Sequence, residues 1–211
     1  MQRRTALCTA ATLGVGSLAG CLGTDSGSND VPDPIDLSGT KYDYQGGMEI
    51  GAHGGPNGQI FYRDEQPRPV AGAARNAHEG HDETNGTSEE HLAWFHTLVS
   101  GLFPYHFERR NRGWVADAIY VTDYSSVEWA FPEDRSRPVM PAPTSADSFA
   151  EATALTYVGD SDALGGMGPA LHPFSEPADA ESFAETYNGT RYEFDEIDRG
   201  LIDSLQNRSP A

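Results

Sequence analysis

Two methionines in this chain are each followed five residues later by a histidine: Met48 by His53, and Met167 by His172. Each methionine adjoins a glycine, which leaves room for its thioether to reach a surface. A thioether beside an imidazole is a donor pair for a soft metal ion. If both turns fold back, the four side chains form a pseudo-symmetric cluster of two sulfurs and two ring nitrogens. The same residues have plainer uses. Methionine fills irregular gaps in cores, and a turn histidine is commonly exposed or hydrogen-bonded within the fold. Met140, between Val139 and Pro141, reads as packing.

Other polar groupings carry less. His78-Glu-Gly-His81 has a spacing of three, and Gly80 breaks a helix, so it is not the His-Glu-x-x-His of zinc proteases. It reads as a solvated loop with weak adventitious metal binding. His91, His96 and His106 fall in or near an expected amphipathic helix, where core or surface roles come before joint ligation. Carboxylate pairs such as Glu89-Glu90 and Asp195-Glu196 do not stand out from an acidic background. Gly165-Gly166-Met-Gly168 lacks both the Lys-Ser/Thr of a phosphate loop and the spacing of a dinucleotide fingerprint. Asn85, Asn188 and Asn207 head N-glycosylation acceptor triplets.

The start of the chain reads as an export signal over residues 1–20. Arg3-Arg4 resembles a twin-arginine signal. A mostly apolar run too short and too rich in small residues to span a bilayer follows, ending in Leu18-Ala-Gly-Cys21. That ending matches a lipobox, in which the Cys21 sulfur receives lipid and becomes the new N-terminus. Residues 21–38 then form an acidic, flexible tether. Cys8 lies in the discarded segment, so no free thiol and no disulfide remain. This excludes cysteine nucleophiles, thiolate zinc sites and redox pairs. Loss of Arg3 and Arg4 moves the net charge from −18 by two units to −20. No basic patch is left to follow a phosphate backbone, so nucleic acid is not an expected partner. Lys41 is the only lysine. The composition resembles that of halophilic proteins and points to a haloarchaeal origin, in which salt screens the self-repulsion of so acidic a surface.

The elements that must position the candidate ligands can be read in outline. Residues 41–51 and 59–63 read as extended segments joined by the turn-rich His53-Gly-Gly-Pro-Asn-Gly58, and residues 67–87 as a polar insertion. Ser88 is a plausible N-cap for a helix with Leu92, Phe95, Val99, Leu102 and Phe103 on one face, running to Pro104. Residues 114–124 read as a strand, with Val115, Ile119 and Val121 in the core. Beyond the Pro-rich break, residues 152–158 read as a strand, 159–168 as a glycine-rich turn, and 170–174 as extended. A helix over 178–187 ends at Asn188-Gly189. A strand over 191–195 and a helix over 198–205 complete the chain. The expected fold is therefore α+β, with two small related ββαβ-type lobes. The first lobe spans residues 39–131, a linker 132–146 and the second lobe 147–211.

Several of these segments carry a resemblance to a known family. In the second half these are Tyr157-Val-Gly-Asp-Ser161, Gly166-Met-Gly-Pro-Ala-Leu-His-Pro-Phe-Ser175, Asp179-Ala-Glu-Ser-Phe-Ala-Glu-Thr-Tyr-Asn-Gly189 and Phe194-Asp-Glu-Ile197. The first half adds Gly47-Met48, Gly58-Gln-Ile-Phe-Tyr-Arg-Asp64 and Ala118-Ile-Tyr-Val-Thr-Asp-Tyr-Ser125. In this order, behind a lipobox, they resemble NosL, the copper-binding lipoprotein family that accompanies nitrous oxide reductase. The resemblance implies a non-enzymatic protein, lipid-anchored on the extracytoplasmic face of the membrane. It would deliver Cu(I) to nitrous oxide reductase or its maturation proteins, with Met167 and Met48 as soft ligands and His172 and His53 completing the site. The chain also departs from the family. A cysteine typically precedes the Gly-Met of the first lobe, and Gly46 stands there instead. Two further readings follow: a metal-free assembly module of the same fold, and an enzyme akin to organomercurial lyases, whose chemistry needs thiolates that the mature chain lacks.

Overall fold

The computed structural model describes residues 31–73, 89–131 and 138–208. The export signal with Arg3 and Arg4, the lipidation candidate Cys21, His78, His81, Asn85 and Ser88 lie outside the described residues. From Val31 onward the chain forms one compact unit. No helix among the described residues is long and apolar enough to cross a membrane.

The architecture is α+β. The first sheet is built on β1 (Gly58–Tyr62), buried along its whole length as a central strand must be. It pairs antiparallel with β2 (Leu92–Phe95) on one side and β3 (Ala116–Thr122) on the other, so that Ile60 stands opposite both Ala93 and Ile119. A further strand, β4 (Phe149–Glu151), adds to the outer edge of β3 and completes the order β2-β1-β3-β4. The second sheet repeats the path. Its central strand β5 (Thr156–Gly159) lies between β8 (His172–Phe174) and β9 (Thr190–Glu193), and the hairpin β6 (Leu164–Gly165) and β7 (Gly168–Pro169) is inserted before β8. Helix α1 (Phe103–Asn111) precedes β3, α2 (Pro177–Thr186) precedes β9, and α3 (Arg199–Gln206) follows.

The helix expected from Ser88 to Pro104 is not what forms. Residues 89–91 make one 3-10 turn, Leu92–Phe95 is strand β2, and a π-type turn over Leu98–Leu102 runs into α1. All four residues of β2 are buried, and a short strand covered on both faces has no alternation to separate it from a helical run. Pro104 opens α1 instead of ending a helix, because a proline in the first turn forfeits an amide that has no partner there. Val115 is a second correction. It lies before β3, 45% exposed, while Ala118, Ile119 and Val121 take the core positions.

The helix ends are set locally. Pro177 starts α2, and the left-handed Asn188 and the bond from the Gly189 amide to the Ala184 carbonyl (2.8 Å) close the turn behind it. Asp198 caps α3 by accepting from the Leu201 amide at 2.8 Å. This last helix buries Ile202 and Leu205 in the same apolar cluster as Ile60, Trp94 and Phe103, and Gln206 donates to the Val99 carbonyl at 2.9 Å. Phe103 meets Tyr157 and Phe194 across the same core. A second cluster around Tyr124, Phe174 and Phe183 takes in Met140, fully buried and packing as its neighbours suggest. With one core reaching from β1 to α3, chemical denaturation in high salt of the chain beginning after Cys21 should show a single transition. Ile202→Ala should lower stability by about 2–5 kcal/mol without splitting it. Two separate transitions would contradict a shared core.

Candidate metal centre

The loop that carries Met48 is a tight reversal. Tyr42 bridges to Glu49, the Asp43 amide donates to the Met48 carbonyl at 2.8 Å, and the Gly47 amide donates to the Asp43 carbonyl at 2.9 Å. Gly47 is left-handed (φ 67°), and a Cβ there would lie 2.9 Å from the Ala73 Cα, so only glycine fits. The loop is fastened to β2 through the Trp94 indole, which donates to the Tyr42 carbonyl at 2.9 Å, and the Tyr44 amide, which donates to the Trp94 carbonyl at 3.1 Å.

Inside this loop the Asp43 carboxylate is fully buried and accepts bonds on both oxygens. Oδ1 takes the amides of Gln45 (2.7 Å) and Gly46. Oδ2 takes the amide of His96 and its ring Nδ1, each at 2.9 Å. A carboxylate can only accept, so the ring proton of His96 sits on Nδ1. In the neutral ring Nε2 then carries a lone pair. That nitrogen is buried and has no hydrogen-bond partner among the described residues. Leaving such a group unmatched costs about 1–3 kcal/mol. A carboxylate that fixes the tautomer and angle of an imidazole is the arrangement found behind metal-ligating histidines.

Gly46 lies at the edge of this arrangement and is exposed. A Cβ there would have ordinary contacts only: 3.6 Å to Asp43 Oδ1, 3.8 Å to His96 Cε1 and 3.9 Å to Met48 Cγ. The face over Gly46 is thus bordered by the held imidazole and the half-buried Met48 side chain. Gly101, in the turn before α1, matters from behind, since a Cβ there would come within 3.0 Å of Asp43 Oδ2.

The other sequence candidates are placed differently. Met167 is 56% exposed at the tip of the β6–β7 hairpin. That tip rests on the first half of the chain: a Cβ on Gly166 would lie 2.6 Å from the Gly54 carbonyl and 2.8 Å from that of His53. Exposed His53 and the Met167 hairpin therefore come from touching loops. His172 opens β8 and is fully buried, its ring packed 5.1 Å from Phe183, with Nε2 donating to the Ala163 carbonyl at 3.2 Å. Its Nδ1 is buried without a hydrogen-bond partner among the described residues. The structure so sets Met48 and the His96 ring each against the space over Gly46, joins the loops of His53 and Met167, and encloses His172 among aromatic rings. Among the described residues, no three His, Cys, Asp or Glu side chains gather into a ligand set. His96 and Asp43 were not legible as a pair, because His96 was expected on a helix and Asp43 among many acids. The signal available was an Asp three residues before a Gly-Gly, an Asx-turn pattern.

The NosL family profile matches residues 34–202. The chain belongs to the NosL family. The structure is similar to the crystal structure of the copper chaperone NosL from Shewanella denitrificans, with a TM-score of 0.50 and 22% identity. The match covers 82% of this chain and 95% of that one. At this identity the likeness speaks for the fold. No curated protein matches. Besides His96, the two rings most withdrawn from water among the described residues are His172 and His106. Burial pushes His172 down to about 4, and burial next to Arg110 does the same to His106.

Both values lie below the ordinary 6.5, so the unfolded chain takes up protons before the folded one. Their contribution to stability is intact above pH 6.5, falls as pH drops toward about 4, and levels off below that. At 1.36 kcal/mol per unit the loss is roughly 3 kcal/mol for His172. Unfolding free energy measured from pH 7 to pH 4 should show this slope, and His172→Phe should make it shallower, leaving the share due to His106. An unchanged slope would mean that His172 is hydrated in solution.

Proposed function

We propose that this NosL-family protein is a Cu(I)-binding accessory protein that passes its metal to nitrous oxide reductase or its maturation proteins. In this reading it is exported through the Arg3-Arg4 signal, anchored by lipid on Cys21 at the extracytoplasmic face of the membrane, and is not an enzyme. The observation that carries the metal reading is His96 Nε2, without a hydrogen-bond partner among the described residues, on a ring held by Asp43 that borders, as Met48 does, the space over Gly46.

Thioether and imidazole donors suit Cu(I) and serve hard divalent ions poorly. Met48 supplies the sulfur and His96 the nitrogen, with Asp43 as the residue that orients the ring. Met167 and His53, on their touching exposed loops, are a second candidate soft pair. His172 would join a site only by leaving its aromatic surroundings, and it ranks last among the candidates. Two neutral donors hold the cargo moderately, which a carrier needs in order to release it. A second reading, a metal-free assembly lipoprotein acting through protein partners, is favoured by the missing side chain at Gly46.

A Cu(I) competition titration against a chromophoric chelator in high salt, on the chain beginning after Cys21, separates the two. One equivalent should bind, and His96→Ala or Met48→Ala should each weaken it at least about tenfold, or about 1.4 kcal/mol. Met167→Ala should cost less. Absence of binding would move the case to the metal-free reading.

A further inference from the structure

We propose that the face over Gly46 is an open coordination position, filled during transfer by a sulfur donor of the partner protein. This rests on the Cu(I) reading above and assigns a role to what the loop lacks. The copper would then sit between two proteins, with His96 Nε2 and Met48 Sδ on this side and a thiolate or thioether on the other.

Three features of the loop support this. The first is space. Gly46 is exposed, and a side-chain atom placed there meets Asp43, His96 and Met48 only at 3.6–3.9 Å, which is ordinary contact. Its amide is already engaged by Asp43 Oδ1, so the position offers an incoming group room without competing backbone donors. The second is rigidity. Asp43 binds the loop to His96, and Gly47 is wedged against Ala73, so the loop is not free to swing a further ligand of its own into place. The third is chemistry. One imidazole and one thioether leave Cu(I) short of a third donor, and soft sulfur is the donor it prefers. The mature chain keeps no thiol to supply it, because Cys8 and Cys21 are the only cysteines.

The transfer step needs no change of oxidation state. A Cu–S bond to the partner forms over Gly46, and the Cu–S(Met48) and Cu–N(His96) bonds then break. If the incoming group is a thiol, its proton passes to solvent.

The test uses Cu K-edge absorption on the mature chain loaded with one equivalent of Cu(I). It is run in sulfate salt so that halide does not compete. N-acetylmethionine amide and N-acetylcysteine serve as separate thioether and thiol probes. The expected result is one Cu–S and one Cu–N contact without probe, and two Cu–S contacts with whichever probe matches the partner's donor. Gly46→Leu fills the space and should return the count to one Cu–S while leaving thermal unfolding unchanged. A copper site that ignores both probes, or Gly46→Leu that still takes up the second sulfur, overturns the proposal and leaves the metal reading standing. Failure to load copper with or without probe overturns both.

Discussion

Much of the first half of this protein depends on how one buried carboxylate is satisfied. Asp43 has no access to water, and an unpaired charge there would be prohibitive. Four donors resolve it: two amides of its own loop and two groups of His96. The consequences run outward from these bonds. The loop closes on itself, β2 is tied to a segment 53 residues away, and the imidazole is locked with its proton on one nitrogen. Gly47 and Gly101 are required because any side chain there would displace the Ala73 backbone or crowd the carboxylate. His96 Nε2 is left without a hydrogen-bond partner among the described residues, and it is a nitrogen that can bind a soft cation.

The repeat in the fold explains why the two methionines are not equivalent. Both halves run strand, strand, helix, strand, with the first strand central in its sheet. Met48 precedes the first strand of its half, whereas Met167 sits in the β6–β7 hairpin inserted between β5 and β8. The equal Met-to-His spacing therefore falls on different parts of the repeat. His53 and His172 diverge for the same reason: one lies in an exposed loop before β1, while the other enters β8 opposite Val158 and is pulled into an aromatic core.

What could be read in advance follows from how local each cause is. The strands around β1, β3 and β5 and the helices near 178–187 and 198–205 rest on alternation, caps and breakers within a few residues, and all appear close to their expected places. The segment Leu92–Phe95 defeated the reading because its neighbours on both faces, not its own sequence, make it a strand. The same misplacement hid His96, which follows β2 directly. Its bond to Asp43 leaves no periodic trace, since tertiary pairing across 53 residues is invisible in any local window. Gly46 drew notice for the missing side chain, yet only the coordinates place that gap against His96 and Met48.

Long-range ¹H–¹⁵N spectra of the histidine rings, before and after one equivalent of Cu(I), test the central claim most directly. The account predicts that His96 carries its proton on Nδ1 in the free protein and that on metal addition its Nε2 shifts far more than any other ring nitrogen. His96 signals that stay in place while those of His53 or His172 move would contradict it.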